Sequence, residues 1–219
     1  MPRILIRDAR GAHMTGHASR PLRVYLIRHG ETEWSLTGRH TGRTDISLTP
    51  NGEAEAHALG TCLQGIPFAH VLSSPLQRAL HTCELAGLDR APEIEPDLAE
   101  WDYGEYEGWR SVEIHQVRPH WNVYMDGCPG GEMPDDISIR IDRLIARLRR
   151  LDGNVALFTH GQIGSVIGMR WIGLAVAEAR HFSLGTASRS MLGFDPHQPD
   201  VPVIALWNAA THEPSSTQV

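Results

Sequence analysis

Three strings in this 219-residue chain put reactive side chains directly after short apolar runs. Residues 22–27 (LRVYLI) lead into Arg28-His29-Gly30-Glu31-Thr32. Residues 71–73 lead into Ser74-Pro75, with Arg78 one turn on. Residues 155–159 (VALFT) lead into His160-Gly161. Two guanidinium forks and helix N-termini suit a phosphate dianion. A neutral imidazole nitrogen is nucleophilic near neutral pH and leaves phosphorus readily, so one histidine can accept a phosphoryl group. The other can donate to a non-bridging oxygen as charge builds there. Gly30 and Gly161 let the backbone approach the same group closely. The departing oxygen needs a proton, for which a carboxyl of raised pKa is the usual source. Residues 98–108 (LAEWDYGEYEG) offer Glu100, Asp102, Glu105 and Glu107, and composition does not choose among them.

Other chemistries fit less well. The 13 histidines are scattered, with no H-x-H or H-E-x-x-H pair, so no metal and no cofactor are expected. Cys62, Cys83 and Cys128 form neither a C-x-x-C pair nor the C-x-x-x-x-x-R string of a cysteine phosphatase. Reduced thiols are the simplest reading, which points to a cytoplasmic setting. Trp101, Trp109 and Trp121 in the same region read first as packing anchors.

Alternating strands and helices must position these groups. Residues 22–27, 71–73, 155–159, 188–194 and 201–207 read as strands. Helices are expected after Thr49-Pro50, after Ser74 (with Ser74 as N-cap and Gln77 closing a capping box), from Asp135-Asp136 to Arg150, and from Gly161 to about Trp171. Residues 89–134 show no clean period and read as binding loops. The pattern predicts an α/β fold, a three-layer α/β/α sandwich around a mainly parallel sheet. In such sheets ligands sit beyond the carboxyl ends of the strands, where these histidines and arginines fall.

Composition agrees with an ordinary globular domain: 41% of residues are hydrophobic and 21% charged. A net charge of -6 argues against general nucleic-acid binding, and no run of about 20 apolar residues suggests a membrane span. Residues 1–20 lack the apolar core of a secretory leader and read as a mobile extension. The domain is expected to cover 21–212, followed by a polar tail at 213–219.

The motifs LIRHGET (26–32), TGRTDISLTPNGEAEA (41–56), SSPLQRALHTCE (73–84) and FTHG (158–161) occur in that order. With them the chain resembles the histidine phosphatase superfamily, which includes the cofactor-dependent phosphoglycerate mutases. The resemblance implies a phosphoglycerate mutase-like fold, with His29 as the phosphate-accepting nucleophile and Glu100 as the proton donor. Arg28, Arg78, His160 and Gly161 would form the phosphate pocket.

The strings RHGETEWS, GRHTGRTD, EWDYGEYEG and PHWNVYMDGCPGGE resemble the branch containing fungal sedoheptulose 1,7-bisphosphatase and related bacterial phosphatases. That likeness implies Ser35, His40, Thr41, Trp101, Asp102 and Tyr103 as substrate contacts. Mutases usually carry Asn where this chain has Ser35, and a longer insertion between the acid and the second histidine. Both departures favour a hydrolase acting on a small phosphorylated metabolite, a sugar phosphate or bisphosphate. A mutase, or an inactive phospho-ligand binder, is the alternative. Arg39, Arg43, Arg110 and Arg170 are available for a second phosphate. The family's habits imply a homodimer or homotetramer.

Overall fold

Residues 21–210 are described by the computed structural model; the extension expected at 1–20 and the tail at 213–219 lie outside them. Six strands, β1 (Arg23–Arg28), β2 (Phe68–Ser73), β3 (Glu93–Ile94), β4 (Asn154–Thr159), β5 (Arg189–Phe194) and β6 (Pro202–Ala209), form one sheet in the order β3-β2-β4-β1-β5-β6. The first four are mutually parallel. β5 runs antiparallel to β1 and to β6, so the sheet is mixed with a parallel centre.

The central strands are apolar on both faces because helices cover both. Val24 and Leu26 of β1 and Val155 and Leu157 of β4 point to one layer, with α6 (Pro134–Leu148) and α7 (Gly161–Trp171). The alternate residues Ile27, Ala156 and Phe158 point to the other, with α2 (Pro50–Leu63) and α3 (Gln77–Leu85). This period-two division of a continuous apolar run is the signature of a buried parallel strand. α6 is the most amphipathic helix. Ile137, Ile141, Leu144, Ile145 and Leu148 are buried, with Asp135 and Asp136 in its first turn and Arg147 in its last, matching the helix dipole.

Register then brings the chemistry together. β1 and β4 pair in phase from Arg23↔Asn154 to Arg28↔Thr159, so both strands end at the same level. His29 and His160, each the next residue, are neighbours for that reason, and His29 N donates to Thr159 O at 3.0 Å. β2 pairs Ser73 with Phe158, which sets Ser74 beside them.

The structure departs from expectation in three places. β2 starts at Phe68, three residues earlier than the pattern indicated, because Phe68 packs edge-on against Tyr25 with centroids 5.2 Å apart. The stretch 89–134 is not structureless. It holds β3, 3-10 turns at Pro96–Leu98 and Gly104–Tyr106, and short helices α4 (Ser111–Val117) and α5 (Val123–Asp126); α1 (Glu33–Thr37) is a further short helix. Finally, Ser74 does not cap α3. The helix starts at Gln77, whose N–H donates to Asp45 Oδ1 at 2.8 Å, and the Gln77 side chain reaches Asp45 O. The Ser74 hydroxyl faces His160 instead.

Candidate active site

His29 and His160 stand edge to face, with ring centroids 5.1 Å apart. His29 Nδ1 lies 2.7 Å from Gly30 O. A carbonyl only accepts, so Nδ1 carries the proton and Nε2 keeps its lone pair. Burial, then Arg78 and Arg28, push this imidazole well below its ordinary pKa, so it is neutral at pH 7. A neutral, oriented ring with a free Nε2 is the form a nucleophile requires.

His160 has the opposite relation to its neighbours. Arg78 Nε donates to its Nδ1 at 3.1 Å, so the neutral ring carries its proton on Nε2, which lies 2.7 Å from Ser74 Oγ. Burial, with Arg78 the leading charge, depresses its pKa too. One histidine therefore presents a lone pair while the other presents an N–H.

Arg78 is fully buried, with each arm of its guanidinium engaged. Nη1 donates to Thr44 O, and Nη2 to Thr41 O and Gly42 O, each at 3.0 Å. It thus ties the 41–44 loop to His160 and keeps one unspent N–H on Nη1. Arg28 donates Nη1 to Leu184 O, and its buried Nε has no partner among the described residues. An unpaired buried guanidinium donor beside a neutral histidine is what an incoming oxyanion would satisfy. Gly161 lies against this guanidinium, where a Cβ would make ordinary contact 3.4 Å from Arg28 Cζ.

Glu100 is 8% exposed and rests on the N-terminus of α7. Oε1 accepts from Trp101 N and Ile163 N at 3.0 Å, and Oε2 from Gln162 N at 3.1 Å. Burial raises its pKa, outweighing these three N–H groups and Arg78. The other acids of its loop have different places. Asp102 pairs with Arg43 at 2.7 Å and accepts from Gly104 N. Glu105 is exposed. Glu107 receives Gly42 N and Thr44 N.

A cavity of about 240 Å³ opens over these groups, lined by Arg28, His29, Ser35, His40, Thr41, Glu100 and Tyr103 among others. It brings together most of the residues named from sequence, with Arg78 and His160 behind its wall. Trp101 and Asp102 are not brought to it. Trp101 is fully buried in the core, its indole N–H held by Glu132 O at 2.9 Å, and Asp102 is turned toward Arg43. Trp121 is an anchor, stacking edge-on against His40 and Tyr106, whereas Trp109 is 40% exposed.

Thr32, Ser111 and Gln162 also line the cavity and were not singled out from sequence. Gln162 was legible as the second residue of a helix opening at a histidine; Ser111 carried no signal. Of the four arginines held available for a second anion, Arg43, Arg110 and Arg170 pair with Asp102, Glu113 and Asp142. Arg39, at the cavity, has no carboxylate partner among the described residues. A larger cavity, about 550 Å³, lies near the start of β2 between the C-terminal ends of α2 and α3, and holds none of these groups. Among the described residues no cluster of three or more His, Cys, Asp or Glu could hold a metal ion, and no helix is long and apolar enough to cross a membrane. All three cysteines are unpaired.

Comparison with known proteins gives the family and the fold. The family profile described as "Histidine phosphatase superfamily (branch 1)" matches residues 24–209. An acid phosphatase of Mycobacterium tuberculosis is 38% identical over 188 residues, covering 84% of this chain and 92% of its own. The sedoheptulose 1,7-bisphosphatase of Saccharomyces cerevisiae is 32% identical over 186 residues, covering 70% of this chain and 69% of its own. The solved structure of an open-reading-frame product of Mycobacterium tuberculosis superposes with a TM-score of 0.83 at 37% identity, over 88% of this chain and 100% of that one.

Proposed function

The chain belongs to the histidine phosphatase superfamily, and we propose that it is a metal-independent phosphomonoesterase working through a phosphohistidine on His29. The observation that carries this reading is the tautomer of His29. Its proton is committed to Gly30 O, and its Nε2 lone pair is free beside two guanidinium groups.

A substrate phosphate would take the unpaired Arg28 Nε–H, while Arg78 behind the cavity wall would add its charge and His160 would turn its Nε2–H from Ser74 Oγ to the phosphate. His29 Nε2 attacks phosphorus in line. The ester P–O bond breaks as protonated Glu100 delivers its proton to the leaving oxygen. Glu100, now a carboxylate, takes a proton from water. That water attacks the phosphohistidine, the P–N bond breaks, and inorganic phosphate leaves. The burial that raises the Glu100 pKa favours the protonated form needed first, and its contacts with α7 N–H groups stabilise the carboxylate needed second.

The cavity volume, about 240 Å³, supports a small substrate. A phosphorylated sugar fits this reading, and Arg39 would meet a second anionic group on it. Phosphate release from sugar mono- and bisphosphates, phosphoglycerates and nucleotides, with EDTA present and His29→Ala in parallel, tests the proposal. Release that depends on His29 is expected, strongest on a sugar phosphate. Movement of phosphate between positions of phosphoglycerate, without net release, would make the enzyme a mutase instead.

A further inference from the structure

Glu100 belongs to a segment that forms no long strand or helix of its own. Several backbone groups of residues 97–102 are met from outside, on both sides of that carboxylate. Upstream, Arg140 Nη1 donates to Asp97 O and Ala99 O at 2.9 and 2.7 Å. Downstream, Asp102 N donates to Glu132 Oε2 at 2.9 Å, Glu132 N donates to Asp102 O at 2.9 Å, and Trp101 Nε1 donates to Glu132 O. Arg140 Nη2 then donates to Glu132 Oε2 at 2.8 Å and closes the bracket. The two side chains are only 12% and 23% exposed. Arg143 and Arg147, further along α6, hold the carboxylates of Asp97, Glu93 and Glu95.

We propose that Arg140 and Glu132 are positioning residues for Glu100, an ion-paired brace that fixes its carboxyl against the leaving oxygen. The proposal rests on the proton-donor reading of Glu100 given above. Neither residue lines the cavity that holds His29; with Glu100 they line a separate one of about 340 Å³. They act through the backbone on each side of the acid. Only a guanidinium has the fork to reach two carbonyls and a carboxylate at once. Proton transfer to a leaving group is sensitive to displacements of an ångström or less, which makes such a brace consequential for rate.

The test compares leaving groups in the full chain. 4-Nitrophenyl phosphate releases a phenolate that departs with little help from an acid, whereas glycerol phosphate releases an alkoxide that needs a proton. Arg140→Ala is expected to lower kcat/KM, which reports phosphoryl transfer to His29 and not the later hydrolysis in which Glu100 is the base, by roughly 100-fold on the alkyl ester. On the aryl ester the loss in kcat/KM should stay within about 5-fold. Arg140→Lys, which keeps the charge without the fork, should recover part of the alkyl-ester rate. Glu100→Gln, run in parallel, should show the same selectivity with a larger loss. Equal losses for Arg140→Ala on both esters, or no loss on either, would overturn the brace while leaving the acid intact. A Glu100→Gln variant without selectivity would overturn the acid assignment, and the brace with it. Should Arg140→Ala fail to fold, the nearly isosteric Glu132→Gln is read by the same criterion.

Discussion

Gly30 and Gly52 face one another so closely that neither tolerates a side chain. A Cβ on Gly30 would lie 2.4 Å from Gly52 O, and one on Gly52 would lie 2.1 Å from Glu31 O. The loop after β1 thus seats directly on the first turn of α2. Thr49 N also donates to Glu31 O at 2.9 Å, and Gly30 N donates to Thr82 Oγ1 at 3.0 Å. Because His29 hydrogen-bonds to Gly30 O, this contact sets the ring that the proposed mechanism uses.

Gly52→Ala is therefore expected to destabilise the fold by about 1–3 kcal/mol, since the atoms its Cβ would meet, all of Glu31, are backbone and cannot swing away. It should also lower kcat, because relief comes by displacing the His29 loop. Urea denaturation with steady-state kinetics measures both. A variant of unchanged stability and rate would show that the loop is not seated as described.

Arg78→Lys should be far from conservative. A lysine ammonium cannot serve three carbonyls and His160 Nδ1 in the positions that the fork reaches. Loss of at least about 100-fold in kcat/KM is expected, together with faster proteolysis in the 41–44 loop. A variant retaining near-normal kcat/KM would contradict the role given to the guanidinium.

Stability should fall on the acid side. His29, His160 and His40 are held below the ordinary imidazole value of 6.5 by burial, His40 at about 4. The unfolded chain takes up these protons near pH 6.5, so their stability contribution is complete above that value and is lost as pH falls. Glu100 opposes this, because its raised pKa makes the folded state the stronger proton binder above the unfolded carboxyl value. One carboxyl against three imidazoles leaves a net loss, on the order of 2 kcal/mol between pH 7 and 5.5. Urea midpoints at the two pH values measure it, and His40→Phe should reduce the difference. A midpoint that is flat or rises on acidification would refute the buried neutral histidines.

Chelation should leave turnover intact. In the proposed sequence the phosphate charge is met by Arg28 and Arg78, and no step calls for a divalent ion. Activity after prolonged EDTA treatment and desalting is expected to match the untreated enzyme. Loss restored by one divalent metal would replace the arginine pocket with a metal-assisted one.

The sequence was most informative where the physics is local. The apolar run before His160 and the helix after it are read directly from residue type, and α7 begins at Gly161 and ends at Trp171 as expected. Which acid faces the cavity was not local. Glu100, Asp102, Glu105 and Glu107 are equivalent in composition, and their separation depends on α7 reaching Glu100 across more than 60 residues of chain. The cap of α3 failed for a similar reason. Ser74 had the right spacing, but Asp45, 32 positions from Gln77, took the N–H while Ser74 turned to His160. Trp101 and Tyr103 both follow the preference of a large ring for the core, and nothing in their neighbours marks Tyr103 as the one that also lines the cavity.

The central claim is that His29 carries the phosphoryl group between substrate and water. Rapid acid-free quenching of enzyme turning over a slow phosphomonoester, followed by mass mapping, tests it directly. One phosphate on His29, stable in base and labile in acid, is expected in the native enzyme and none in His29→Ala, which should fold normally and fail to turn over. Turnover by His29→Ala at a substantial fraction of the native rate, or phosphate trapped on another residue, would contradict it.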